Sequence, residues 1–386
     1  LGGYVKIAGM VDESMDKEQM SKPPEPWEFR SKKTWQRLII MLGGVTVNAL
    51  LAWVIYSFSL FTWGAEKMPL ANLDNGIACT QIALNNGFKD GDVPVSINGE
   101  KFEYFSQFSE ELLLNDEEKV VEVIRDGKPH TFNLYGEFGD HALDSGIQRI
   151  VGARIPFIVS VVPTLEQTEK ATPAQGIFEA GDQVIKVNGE ATPFSVDVRR
   201  KLSATNKPEM NFTVLRAGDT IQLQTQLGCD KLLGVGLSST SNFLKYVHYD
   251  YSLLESFPAG FEKAVDVLGS YVRQFKKVAR HADSLGGFGA LGSLFPESFS
   301  DTDYWQKFWS ITALLSVILA FMNLLPIPAL DGGHVMFLLY EMIFRRKPGE
   351  KFMEYAQMSG MILLMALMLY ANGNDLINRN FSHSNS

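Results

Sequence analysis

Three stretches of the chain carry no charged residue: Leu38 to Ala65, Phe308 to Leu330 and Tyr355 to Asn374. A helix needs about 20 apolar residues to cross a bilayer. Each stretch reaches that length, so the pattern predicts three membrane spans. Between the first two the pattern changes: polar and apolar positions mix, and β-branched residues alternate between turn residues.

Within that region the sequence repeats itself. Residues 91–100 read Gly-Asp-Val-Pro-Val-Ser-Ile-Asn-Gly-Glu, and residues 181–190 read Gly-Asp-Gln-Val-Ile-Lys-Val-Asn-Gly-Glu. A second echo follows in each copy, Val123-Ile124-Arg125-Asp126-Gly127 against Val214-Leu215-Arg216-Ala217-Gly218. Two echoes at nearly one offset predict two copies of one domain. Each copy contains a short strand ending in Asn-Gly, a strong tight-turn signal. Further on, Phe261, Ala264, Val265, Leu268, Val272 and Phe275 recur at helical spacing, with Lys263, Arg273, Lys276 and Lys277 elsewhere around the helix. This helix fits two roles, lying on the outer leaflet or packing on the second repeat.

Basic residues orient the spans. Lys22, Arg30, Lys32, Lys33 and Arg37 precede the first, and Arg345, Arg346, Lys347 and Lys351 lie between the second and third. Such flanks stay on the cytoplasmic side. Residues 66–300 and the C-terminus then fall outside. Trp63, Tyr304, Trp305 and Trp309 suit the outer interface.

Composition narrows the chemistry. Among 386 residues the net charge is −9, and no basic stripe interleaved with aromatics appears, which excludes nucleic acid as a partner. Cys79 and Cys229 stand far apart, so a thiolate zinc cluster is excluded, and they are two free thiols or one disulfide. Gly286 to Phe295 is glycine-rich but follows no strand and lacks the Lys-Ser/Thr ending of a phosphate loop. The chain opens on Leu1-Gly2-Gly3-Tyr4-Val5-Lys6 without Met or signal peptide, and the expectation is that the natural protein extends upstream.

The second span ends Asn323-Leu324-Leu325-Pro326-Ile327-Pro328-Ala329-Leu330-Asp331-Gly332-Gly333-His334. Two prolines one residue apart cannot continue an α-helix. Backbone that opens at membrane depth is tolerated only against protein or a water-filled cavity. Polar residues there are costly and mark a functional site. The plain alternative is that Asp331 caps the helix that follows.

This motif, Asn-x-x-Pro-x-Pro-x-Leu-Asp-Gly, resembles the third-span motif of the site-2 protease family of intramembrane zinc metalloproteases. The Leu1 to Lys6 opening resembles that family's membrane-associated β-hairpin, and Gly44-x-x-x-Asn48 matches its second span. The repeats resemble PDZ domains, as in the bacterial regulator-of-sigma-E protease branch. The resemblance implies that Asp331 is a Zn²⁺ ligand and that Asn323 holds the substrate backbone or stabilises the oxyanion. It places Gly3, Tyr4 and Val5 on an edge strand that meets substrate, and makes Asn48 a polar residue of structure or substrate contact. His334 reads as a neighbour of the metal site or a helix cap. The implied substrates are transmembrane segments of single-span membrane proteins, such as anti-sigma factors or leftover signal peptides. An edge strand offers backbone bonds to a substrate helix that has unwound. A zinc with three protein ligands leaves a place for water.

The implied protein is a multi-domain protein of the bacterial inner membrane. It has an α-helical transmembrane core, with three spans here and four expected in the full protein. Two mainly-β PDZ-like domains lie on the periplasmic side, controlling substrate access or holding peptides. The division runs 1–37 (cytoplasmic-side segment with the hairpin), 38–65 (span), 66–150 and 151–242 (PDZ-like domains) and 243–304 (helical linker). It continues through 305–333 (span with the motif), 334–354 (cytoplasmic-side helix and loop), 355–374 (span) and 375–386 (tail). The family's His-Glu-x-x-His is missing: His130, His141, His248, His281, His334 and His383 form no i, i+4 pair. Either that motif lies upstream of Leu1, or the protein is a pseudoprotease or a non-catalytic membrane-anchored scaffold. A transporter would show symmetry among its spans, and none is visible.

Overall fold

The computed structural model describes residues 7–9, 23, 25–114, 118–136, 138–139, 150–164, 171–228, 230–278, 295 and 303–384. They form two compact units: a helical one, up to Ala65 and from Asp250 to Phe381, and a β-rich one, Glu66–Tyr249. In chain order, α1 (Thr34–Trp63) leads into β1 (Ala65–Lys67). The first repeat holds β2 (Ile77–Cys79), α2 (Gln81–Asn85), β3 (Val93–Ile97), β4 (Glu100–Lys101), α3 (Phe105–Leu114), β5 (Lys119–Arg125), β6 (Lys128–Leu134) and β7 (Val151–Ala153). The second holds β8 (Phe157–Val161), β9 (Gln183–Val187), β10 (Glu190–Ala191), α4 (Ser195–Ala204), β11 (Glu209–Arg216), β12 (Asp219–Gln226) and β13 (Gly236–Leu237). Then come β14 (Val247–Tyr249), α5 (Leu253–Val278), α6 (Tyr304–Leu324), α7 (Asp331–Phe344) and α8 (Glu350–Ser384).

Among the described residues three helices are long and apolar enough to cross a membrane, over Thr34–Trp63, Tyr304–Leu324 and Lys351–Gly373. They coincide with the three uncharged stretches. The first starts earlier than the charge pattern predicts. The Gln36 side chain accepts the Lys33 backbone N–H at 3.1 Å, which caps the first turn and brings Arg37 inside the helix. α1 packs against α6 through Ala52, Ile55, Tyr56, Ala313 and Val317. It ends at Gly64, whose φ of 64° a side chain would resist.

α5 packs on α1 and α6. Trp53 Nε1 donates to the Phe257 carbonyl at 2.8 Å, and its ring meets Phe257 and Phe261 edge-on. Gly260 lies so close to Ser57 that a Cβ would overlap it. Tyr271 and Phe275 close on Phe321. Only part of the predicted stripe is the packed one: Ala264 and Phe275 pack and Phe261 meets Trp53 by one edge, whereas Val265 and Leu268 are 50% and 37% exposed. The helix is apolar on more than one side, and glycine decides which side α1 can approach.

In the β-rich unit each repeat builds its own core, the first around Phe88, Phe108, Leu112, Val121 and Val123, the second around Phe178, Val184, Met210, Phe212 and Val214. The first sheet runs β4-β3-β5-β6, the second β12-β11-β9-β8-β13 with β10 on β9. The repeated asparagine, aspartate and arginine each have one task in both copies. Asn98 and Asn188 take positive φ in the hairpin turns, and their side chains accept the Val120 and Asn211 amides. Asp92 and Asp182 are fully buried, and each is gripped by the arginine of the second echo. Arg125 Nε and Nη2 donate to the two Asp92 oxygens at 2.7 Å each, and Arg216 does the same to Asp182 at 2.6 and 2.7 Å. β7 pairs with β2, which carries the first core past residue 150. From α4, Arg200 reaches back to Asp90 and to the Cys79 carbonyl, tying the repeats together. Cys79 is a free thiol. Burial first, then Asp90 and Asp92, push it up to about 12. Cys229 lies outside the described residues.

Burial raises the Asp182 carboxyl, but hydrogen bonds from Arg216 and the Glu179 amide outweigh it and hold the group below its ordinary value. A lowered carboxyl stabilises the fold above its unfolded pKa, and this contribution is lost as pH falls through the lowered folded value. Hydrogen exchange of the β9 and β11 amides in the whole protein should show protection falling below about pH 4. Asp182→Asn should remove that dependence and cost about 3 kcal/mol at neutral pH, as breaking a buried pair does. Equal protection of variant and parent at pH 7 would refute the assignment.

Candidate active site

The second span breaks where the prolines require it. α6 stops at Leu324, and residues 325–330 are irregular, held by short-range bonds: Leu325 N–H to Met322 O at 3.1 Å, Ile327 N–H to Leu325 O at 2.7 Å and Leu330 N–H to Ile327 O at 2.8 Å. α7 then begins at Asp331, with extended Leu330 as its N-cap.

Three glycines let other backbone close on this break. A Cβ on Gly332 would lie 2.5 Å from the Leu324 carbonyl, and one on Gly333 would run into Ile327 and Pro328. On α8, a Cβ on Gly360 would lie 2.8 Å from the Ala329 nitrogen. The non-helical backbone is thereby partly covered by protein, in the direction an apolar surround demands.

Asp331 is the first helical residue, not the cap, which is Leu330, and its carboxylate accepts no hydrogen bond from the described residues. Its carboxylate is half-buried at the positive end of α7. A Cβ built on Gly44 of α1 lies 3.7 Å from Asp331 Oδ2, so α1 presents bare backbone to the carboxylate. His334 follows one turn on, beside the Phe337 ring. Asn48 is half-buried one turn from Gly44 on α1, and Asn323 half-buried in the last turn of α6. Gly3, Tyr4 and Val5 lie outside the described residues, as do Gly286 to Leu294.

Among the described residues no three His, Cys, Asp or Glu side chains gather. A catalytic zinc takes three protein ligands and keeps an open place. Asp331 suits one place in such a set, because its carboxylate takes no hydrogen bond from the described residues and lies beside Gly44, which has no side chain. The residues described here do not complete the set.

A second feature lies in the β-rich unit. A cavity of about 570 Å³ opens between α4 and the segment 230–237, lined by Phe157, Arg199, Leu202, Leu233, Val235 and Leu237. Its strand wall is β13, the end strand of its sheet. Periodicity could not find this groove, because its walls are about 30 residues apart in sequence and β13 has only two residues. The run Leu232-Leu233-Gly234-Val235 was the visible signal.

Sequence reasoning also missed Glu341, the one charged residue of α7 besides Asp331. Arg37 Nη2 donates to Glu341 Oε1 at 2.6 Å, and Thr34 Oγ1 donates to the same oxygen at 3.0 Å. Arg37 was legible only as an orienting charge.

A half-buried carboxylate at the end of a broken apolar helix is the candidate site of this chain. The sequence matches Peptidase family M50 over residues 1–367. A Campylobacter jejuni protein named a zinc metalloprotease is 27% identical over 382 residues, 97% of this chain and 77% of the relative. The regulator of sigma E protease of Haemophilus influenzae is 25% identical over 398 residues, 98% of this chain and 85% of the relative. The chain belongs to peptidase family M50, the site-2 proteases, and is a zinc metalloprotease of the membrane.

Gly332→Ala and Gly333→Ala should each cost about 2 kcal/mol or more, since neighbouring backbone cannot give way as a side chain does. Gly43→Ala, which meets nothing within 4 Å, should be neutral. Thermal unfolding of the purified variants checks this, and three equal melting temperatures would contradict it.

Proposed function

We propose that this protein cleaves the transmembrane segments of single-span proteins in the bacterial inner membrane, with its β-rich unit on the periplasmic side. The observation that carries the reading is the Asp331 carboxylate, uncapped and facing Gly44 at the helix break. Asp331 would hold the zinc, together with ligands outside the described residues. The bound metal supplies a water of low pKa and polarises the scissile carbonyl. Asn323, on the turn that leads into the break, anchors the substrate backbone or its oxyanion. Asn48 contributes a polar contact from α1. The name of the Haemophilus influenzae relative supports substrates of the anti-sigma-factor kind, and leftover signal peptides share their topology.

The β-rich unit screens these substrates. Its groove accepts an extended peptide, which adds to the outer edge of β13 and sets an apolar side chain between Leu202 and Leu237. In sequence the unit is inserted between the first span and the span that carries Asp331.

Asp331→Asn in the full-length protein should lower cleavage of a single-span substrate by about 100-fold or more and weaken zinc binding. Full activity in that variant would refute the ligand role and return the chain to a scaffold. Excising residues 70–240 should admit substrates that still carry their outer domain. Unchanged selectivity after the excision would end the screening proposal.

A further inference from the structure

We propose that Arg37 and Glu341 are positioning residues that set the rotation of α7 and so aim the Asp331 carboxylate at the Gly44 face of α1. The proposal rests on Asp331 being the carboxylate of the reacting site.

Backbone contacts at Gly332 and Gly333 hold the start of α7, but little packing fixes the rotation of the rest. Beyond Gly332 and Gly333 at its start, only Leu338 is buried, while Met336, Leu339, Tyr340, Met342, Ile343 and Phe344 are exposed. Apolar contact is non-directional and leaves such a helix free to roll. Two directional contacts join it to α1. One places Gly44 against Asp331. The other is the ion pair of Arg37 with Glu341, at 2.6 Å, its side chains only 10% and 12% exposed.

The spacing makes the two contacts a register. Arg37 and Gly44 are seven residues apart on α1, about two turns, so they share a face. Asp331 and Glu341 are ten residues apart on α7, about a quarter turn short of three full turns. The helices run antiparallel, with Arg37 opposite Glu341 and Gly44 opposite Asp331. A roll of α7 that carries Asp331 off Gly44 also pulls Glu341 off Arg37.

The ion pair resists that roll because both charges are withdrawn from water. Removing one partner leaves the other buried and unpaired. Arg37 Nε is itself buried with no hydrogen-bond partner, so the guanidinium is held here at some cost. Thr34 fixes the Glu341 rotamer from α1, and the Phe29 ring lies 5.9 Å from the guanidinium carbon.

The test uses full-length protein in native membranes, in a background with Cys79 and Cys229 replaced by Ser. Paired cysteines at Gly44 and Asp331 report the register by their rate of oxidative crosslinking. Paired cysteines at Ala52 and Ala313, within the α1–α6 cluster, report the rest of the fold. Glu341→Gln should slow the first crosslink several-fold and leave the second unchanged. In the active protein the same variant should lower kcat by about 100-fold at constant KM, as a misplacement near 1 Å does. The reversed pair, Arg37→Glu with Glu341→Arg, should restore both readouts. Should Glu341→Gln fail to accumulate, Thr34→Val applies the same strain more mildly and should slow the same crosslink. An unchanged 44–331 crosslink, or equal slowing of both, would overturn the proposal. An active Asp331→Asn protein would instead overturn the ligand reading, and the crosslink would still report the register.

Discussion

The backbone between Leu324 and Asp331 cannot be helical, and the helical unit is arranged around that fact. Pro328 has no amide hydrogen, and the ring of each proline displaces the carbonyl a turn before it. Amides and carbonyls freed at membrane depth find no water to bind. They have to be enclosed, and enclosure of bare backbone requires neighbours without side chains. Gly332, Gly333 and Gly360 are those neighbours, each too close to the break to carry a Cβ. The price of the break is therefore met by three residues that do no chemistry. In return the chain gains a new helix start inside the unit, with a carboxylate at its positive end.

The β-rich unit solves a different problem with one repeated device. Each copy buries an aspartate completely, and a buried carboxylate is tolerable only when paired. The arginine from the next hairpin supplies the partner in both copies, with two parallel bonds. The pair fixes β3 against β5 and β9 against β11 by charge as well as by ladder. The two echoes noticed in the sequence are thus the two halves of one interaction. Their common offset persists because the arginine has to reach the aspartate across a fixed number of strands.

What could be read in advance follows from this. The spans were legible because lipid imposes a length and forbids charge, and the Asn-Gly turns because positive φ selects their residues. Asp331 was legible because two prolines announce the break. Its freedom from capping was not, since whether Leu330 or Asp331 is the N-cap depends on where the turn ends. The packed face of α5 stayed ambiguous because apolar residues occupy more than one of its sides, and Gly260, invisible to a hydrophobic count, decides between them. The groove was hidden because it joins α4 to a two-residue strand far along the chain.

Arg37 shows most clearly how a local rule can be right and incomplete. A basic residue before a span marks the cytoplasmic end, and Arg37 obeys that rule. The rule rests on keeping the charge in water, yet Arg37 is 8% exposed. A charge withdrawn from water needs a reason that topology does not provide, because Lys32 and Lys33 already mark that end. Glu341 is the reason, and it too stands in a largely apolar stretch, the second half of α7. Hydrophobic contact alone could hold α7 near α1 at many rotations, since most of its apolar side chains face outward. A buried pair of opposite charges has one good geometry and steep losses around it. At a site where one carboxylate has to point in one direction, that steepness is what the helix lacks from its packing.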